Sequence, residues 1–246
     1  MRIYLPSSNR GVSLIELLIA FVIGAMIIAG IYKVFIAQSK AYTVQDQVVE
    51  VQQSIRSAME ILLRDIRKAG YDSNQTPSKL FTAIFPGDST TNTVKSDAIT
   101  VQYRDKDKDG NLHLYTKVIY RDPNDAKLKA MLYQDGPPAP GYDPLNPPVL
   151  LDNVSGLTFT YGVDGRIDFP ETQDGAIDDF NNDGIIDAND YIPAATVNGA
   201  NLNPVAVRVA LTANPSPSNA DVKQMVQPRT LTSSITVRNL CLFRTN

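Results

Sequence analysis

From Val12 to Ile36 the chain is apolar except at Ser13, Glu16, Tyr32 and Lys33. About 20 apolar residues at ~1.5 Å each cross the hydrocarbon core of a bilayer, so this run predicts a transmembrane helix over 12–36. Beyond it the pattern changes without stopping. Val44, Val48, Val51, Ile55, Met59, Leu62 and Ile66 recur at spacings of three or four, separated largely by Gln, Glu, Ser, Arg and Lys. Such spacing puts one apolar stripe on a helix. No proline interrupts Val12 to Gly70, and Gly70 after Lys68 suits a helix end. Together the two patterns predict one helix over 12–70, roughly 85–90 Å long. Its apolar first half is expected to protrude, and its striped second half to pack on a globular part.

From about Leu80 the period shortens to two, in runs divided by Gly, Pro, Asn and Asp. Ala98–Arg104, Leu112–Arg121, Lys127–Gln134, Gly156–Gly162, Val205–Thr212 and Ser233–Leu240 alternate as strands do. The proline-rich Asp135–Pro148 and the segment Asn214–Asp221 read as loops. The predicted fold is α+β: a long N-terminal helix, transmembrane then amphipathic, packed on an antiparallel sheet within a β-rich domain over 71–246.

Composition removes several function classes. The 246 residues carry 23 basic and 26 acidic groups, without a basic run, which argues against a nucleic-acid partner. One cysteine, Cys241, excludes an internal disulfide framework and reads as a small buried apolar residue. With His113 the only histidine, a zinc site lacks ligands. A Ser-His-Asp triad would need His113, which sits in a predicted strand with no nucleophile motif near it. The composition therefore argues against an enzyme.

Glu16 is the only charge between Gly11 and Tyr32. An acidic group in a membrane helix costs roughly 2.5–3.5 kcal/mol on insertion scales, so it calls for a partner or a task. Residues 1–11 hold Arg2 and Arg10 and no acidic residue, which orients the N-terminus to the cytoplasm. Lys33 can reach the headgroups at the far end. The apolar run is too long for a cleaved secretory signal.

The stretch Gly11–Ala20, "GVSLIELLIA", resembles the processing and methylation motif of type IV prepilins. The resemblance implies a leader over 1–11, cleavage after Gly11 by a prepilin peptidase, and methylation of Val12, where the family mostly has phenylalanine. Glu16 becomes the fifth mature residue, which in that family pairs with the N-terminal amine of a neighbouring subunit. Further stretches are similar to the PilW-like minor pilins and the J-type pseudopilins of type II secretion: Arg64–Tyr71, Asp97–Arg104, Asn153–Gly162, Val205–Thr212 and Arg229–Leu240. The function so implied is a minor pilin that primes or caps a pilus. The partners so implied are major and minor pilin subunits, the prepilin peptidase, an inner-membrane assembly platform and, before assembly, the lipid bilayer. The domain would be periplasmic before it enters a filament. A tip pseudopilin of type II secretion and a calcium-dependent tip adhesin are the alternatives.

One further motif is independent of that resemblance. In Asp179–Asp190, "DFNNDGIIDAND", oxygen-bearing side chains fall at loop positions 1, 3, 5, 9 and 12: Asp179, Asn181, Asp183, Asp187 and Asp190. Gly184 stands at position 6 and Ile185 offers its carbonyl at 7, the ligand spacing of a calcium loop with Asp in the closing place. Pro193 argues against a long exiting helix. Asp174 and Asp178 lie close enough in sequence to add ligands. A second run, Asp105, Asp107 and Asp109 before Gly110, starts the same way but lacks a closing carboxylate. It is a weaker metal candidate and reads more simply as a hairpin turn.

Overall fold

A computed structural model of the chain describes residues 12–74, 83–136, 138–139, 143–164, 176–199, 202–215, 226–237 and 239. The chain divides into two compact units, Met1–Asp46 and Gln47–Asn246. Helix α1 covers Leu14–Arg67 and belongs to both. Its first turn closes on Ser13, whose carbonyl accepts the amides of Glu16 (3.0 Å) and Leu17 (3.2 Å).

In the first unit, the apolar side chains of α1 from Leu14 to Ile36 are exposed, and the helix is long and apolar enough to cross a membrane. In the second unit the predicted stripe is buried at Val51, Ile55, Met59, Leu62 and Ile66 and half-buried at Val48; Val44, in the first unit, is half-buried too. Ala58 and Asp65 join the buried face. The helix ends as the glycine implies. Lys68 and Ala69 donate to carbonyls three residues back, then Gly70 takes a left-handed φ of 73° and donates to the Gln102 carbonyl at 2.9 Å. The Asn239 side chain donates to the Arg67 and Ala69 carbonyls at 3.4 and 3.2 Å, satisfying acceptors that a helix end leaves open.

The strands form two main antiparallel sheets where the sequence suggests one. The first contains β1 (Ile84–Phe85), β4 (Ala98–Lys106), β5 (Leu112–Asp122), β6 (Lys127–Gln134) and β7 (Val149–Leu151), in the order β1-β4-β5-β6-β7. The second contains β8 (Val154–Asp164), β9 (Ile192–Pro193), β10 (Asn203–Ala213) and β11 (Arg229–Thr236), in the order β11-β10-β8-β9. A small hairpin of β2 (Gly87–Asp88) and β3 (Thr93–Val94) lies against β4, where Thr100 donates to the Gly87 carbonyl at 2.8 Å. A short helix, α2 (Ala194–Gly199), follows β9.

One connected core joins the α1 stripe to both sheets. It includes Ile99, Val101, Ile119 and Leu128 of the first and Phe159, Tyr161, Val207, Val209 and Leu211 of the second. The last strand is a correction. It runs over Arg229–Thr236 rather than Ser233–Leu240, in unbroken register with β10 from Ala213↔Arg229 to Ala206↔Thr236. Its side chains are mostly Ser and Thr on an exposed edge, so their alternation leaves no hydrophobic signal.

Candidate functional site

Three constellations carry chemistry. The first is the start of α1. Glu16 lies in its first turn, exposed, on a helix whose neighbouring side chains Leu14, Ile15, Leu17 and Leu18 are apolar and exposed too. A carboxylate there is favoured by the positive end of the helix dipole, yet has no cationic side chain within a turn of it. Val12 is exposed. Gly11, Arg2 and Arg10 lie outside the described residues, as do Asp174 and Cys241.

The second is the acidic loop Asp179–Asp190. Asp190 is fully buried and ties the two ends of the loop together. One carboxyl oxygen accepts from the amides of Phe180 (2.8 Å) and Asn181 (3.4 Å), the other from that of Asp187 (2.7 Å). Burial pushes this carboxyl up, but the amides of Asp187, Asn181 and Phe180 pull harder and leave it below the ordinary 3.8. Asp179 accepts from the amides of Asp183 (3.2 Å) and Gly184 (2.6 Å), and Asp183 from that of Ile185 (2.9 Å). Asp187 caps the short 3₁₀ turn Ala188–Asp190 through the Asn189 amide at 2.7 Å. Asn182 (φ 60°) and Gly184 (φ 83°) make the sharp bend that position 6 requires.

The loop reaches the second sheet through Ile177 and Asp178. Asp178 donates its amide to the Val163 carbonyl at 2.9 Å, and a Cβ built on Gly162 would come within 3.0 Å of the Ile177 side chain. Glycine at 162 is therefore what lets this segment lie close to β8.

The donor set is all hard oxygen, which suits calcium. A carboxylate oxygen that accepts one N–H keeps lone-pair capacity for a cation. In the structure these carboxylates face the loop's own amides, and among the described residues no three His, Cys, Asp or Glu side chains are arranged to hold a metal.

The third constellation surrounds His113, at the far end of the first sheet. The run Asp105–Gly110 is the hairpin between β4 and β5, closed at Gly110 with a φ of 85°. Asp107 serves that turn. Its oxygens accept the amides of Asp109 (2.9 Å) and Asn111 (2.8 Å), the Asn111 side chain (3.2 Å) and His113 Nε2 (3.0 Å). Asp105 sits on β4, opposite His113, with Oδ1 on the Lys106 amide at 2.8 Å. Among the described residues Asp105, Asp107 and Asp109 do not form a group that could hold a metal, and the run makes the hairpin turn. The other ring nitrogen, Nδ1, meets Asp135 Oδ2 at 2.5 Å, and Asp135 Oδ1 accepts the Leu114 amide at 2.8 Å. Local pattern does not reveal this cluster, because Asp135 lies 22 residues from His113 and looks like the first residue of a loop.

Two further ion pairs escape sequence reasoning. Lys117 on β5 reaches Asp65 on the buried face of α1 at 2.6 Å, and Arg104 on β4 reaches Asp72 at 3.4 Å. The first fixes the last turns of α1 to the first sheet, and the second fixes the segment that follows the helix.

Residues 6–32 match the model of the prokaryotic N-terminal methylation motif. Residues 44–235, well over half the chain, match the model of prepilin peptidase-dependent protein B. Among solved structures the chain is similar to a type IV-like pilin from Thermus thermophilus, at 9% identity and a TM-score of 0.40, covering 77% of this chain and 97% of that one. Comparison with curated protein sequences yields no match.

Proposed function

The chain belongs to the prepilin peptidase-dependent protein B family, and on that premise we propose that it is a minor subunit of a type IV pilus, acting in assembly rather than as an enzyme. In this reading the peptidase cuts after Gly11 on the cytoplasmic side, Val12 becomes the methylated N-terminus, and α1 stays in the inner membrane with the β domain in the periplasm. The observation that carries the proposal is Glu16, an exposed carboxylate in the first turn of an otherwise apolar, membrane-length segment. Four residues of helix set it about 6 Å along the axis from its own amine, so the amine of a neighbouring subunit is the better counter-charge. Pairing in low dielectric is favourable only in good geometry, so Glu16 sets register on docking more than it adds affinity.

The test is a strain lacking this chain, beside strains complemented with the native form and with Glu16→Ala. Sheared surface pili should be lost, and restored by the native form only. The terminal peptide of the mature protein should begin at Val12. Normal pili with failed protein secretion would assign the chain to a type II pseudopilus. Normal pili with failed attachment would make it a tip adhesin.

The loop Asp179–Asp190 is, in the same proposal, a structural calcium loop. Asp179, Asn181, Asp183, Asp187, Asp190 and the Ile185 carbonyl would hold the ion. Calcium would supply no chemistry beyond cross-linking the loop. Calorimetry on the full chain in detergent should detect binding, weakened by Asp183→Ala. Saturation at a hundredfold excess over Kd should raise stability by about 2.7 kcal/mol through mass action. No heat at millimolar calcium would end this part of the reading.

A further inference from the structure

Both ring nitrogens of His113 stand at hydrogen-bond distance from a carboxylate: Nδ1 to Asp135 Oδ2 at 2.5 Å and Nε2 to Asp107 Oδ2 at 3.0 Å. An ionised carboxylate only accepts, so both nitrogens must donate, and only imidazolium does that. A neutral ring would turn one lone pair toward a carboxylate. From this geometry we infer that Asp107, His113 and Asp135 form a proton-dependent latch, which staples the β4–β5 turn to the end of β6 and releases it when the ring loses its proton.

The two anchors join separate pieces of backbone. Asp107 holds the amides of Asp109 and Asn111, and Asp135 holds that of Leu114. Asp135 does so from a left-handed backbone, φ 52°, followed by Gly136 at φ 108°. A non-glycine residue in that conformation is held by its surroundings, here by the carboxylate's two contacts and by the Asp135 amide, which donates to the Leu114 carbonyl at 2.9 Å.

The charges around the ring favour its protonated form. Asp105 faces it from β4, Asp107 and Asp109 belong to the turn, and Asp135 closes β6. Lys106 and Lys108 flank Asp107 in sequence. From β5 itself the Tyr115 ring meets the imidazole edge-on at 6.3 Å between centroids. Tyr115 stacks on Tyr103 at 5.2 Å, and Lys68, just past α1, lies over the Tyr103 ring at 5.4 Å. Hydrogen bonding to Asp135, then to Asp107, lifts His113 above its ordinary 6.5, while His113 draws Asp107 down to about 2 and also lowers Asp135.

The sign follows. Because the folded value of His113 is raised, the latch's stabilisation is complete below 6.5 and fades as pH rises through the raised value. Its acid limit comes from the carboxylates, whose contribution is lost as pH falls from 3.8 through their lowered values.

His113 is the only histidine, so one imidazole resonance reports it without ambiguity. The experiment is an NMR titration of the full chain, histidine-labelled and in detergent, with hydrogen exchange at the amides of Asp109, Asn111 and Leu114 followed at matched pH. The expected result is a His113 midpoint above 6.5 and a step loss of amide protection at that midpoint, beyond the intrinsic base-catalysed increase. Asp135→Asn and Asp107→Asn should each move the midpoint down, and His113→Gln should remove the step. A midpoint at or below 6.5, or a step that persists in His113→Gln, would overturn the latch.

Discussion

Tyr161 is fully buried on β8, and its hydroxyl has no hydrogen-bond partner among the described residues. Burial alone pushes its ionisation far up, so the group stays a neutral phenol. An unpaired buried polar atom costs ~1–3 kcal/mol. Tyr161→Phe keeps the ring in the core and should stabilise the protein by about 1 kcal/mol, read as a higher denaturant midpoint at unchanged slope. Equal or lower stability would mean that the hydroxyl is satisfied in solution, for instance by a trapped water. At this scale a motif of fixed spacing is what singles residues out from the sequence, as it does Glu16 and the Asp179–Asp190 loop. The sequence is silent on Asp65 and Lys117, which look like any polar residues on a helix and a strand until the fold brings them within 2.6 Å.

That pair belongs to the scale of elements, where it joins α1 to β5. Asp65 is nearly buried and Lys117 only slightly exposed, so removing the lysine strands a carboxylate in the core face. Lys117→Met should destabilise by ~3 kcal/mol, the low end of the range for breaking a buried pair, since some water reaches the lysine. The double change with Asp65→Leu should recover most of that loss, because two apolar side chains replace two satisfied charges. Chemical denaturation of the four proteins gives the coupling directly. The elements themselves were largely foreseen. The α1 stripe and the β4, β5, β6, β8 and β10 runs all have strong periodicity and clear punctuation. The elements that the sequence pattern does not reveal, β1, β2, β3, β7, β9 and α2, are short and set by tertiary contacts rather than by local pattern. The division into two sheets was equally hidden, because alternation says that a strand has two faces and not which neighbour it will choose.

For the whole molecule, acid is the informative stress. Asp107, Asp122, Asp135 and Asp190 all titrate below the ordinary 3.8 in the folded protein. Depressed carboxylates add stability above 3.8 and lose it as pH falls through their folded values. Unfolding free energy, measured by denaturant at pH 5, 4, 3 and 2.5, should therefore be level at first and fall steeply below about pH 4. Asp122→Asn, which removes the Lys129 contact at 2.6 Å, should make that fall shallower. The cap that Asn239 places on the Arg67 and Ala69 carbonyls has a consequence in time. During synthesis the helix it completes leaves the ribosome well before this asparagine, which follows Ala69 by 170 positions. Until Asn239 emerges, those terminal acceptors lack their cap. A chain cut before Asn239 would hold all of α1 and still lack the side chain that closes its end.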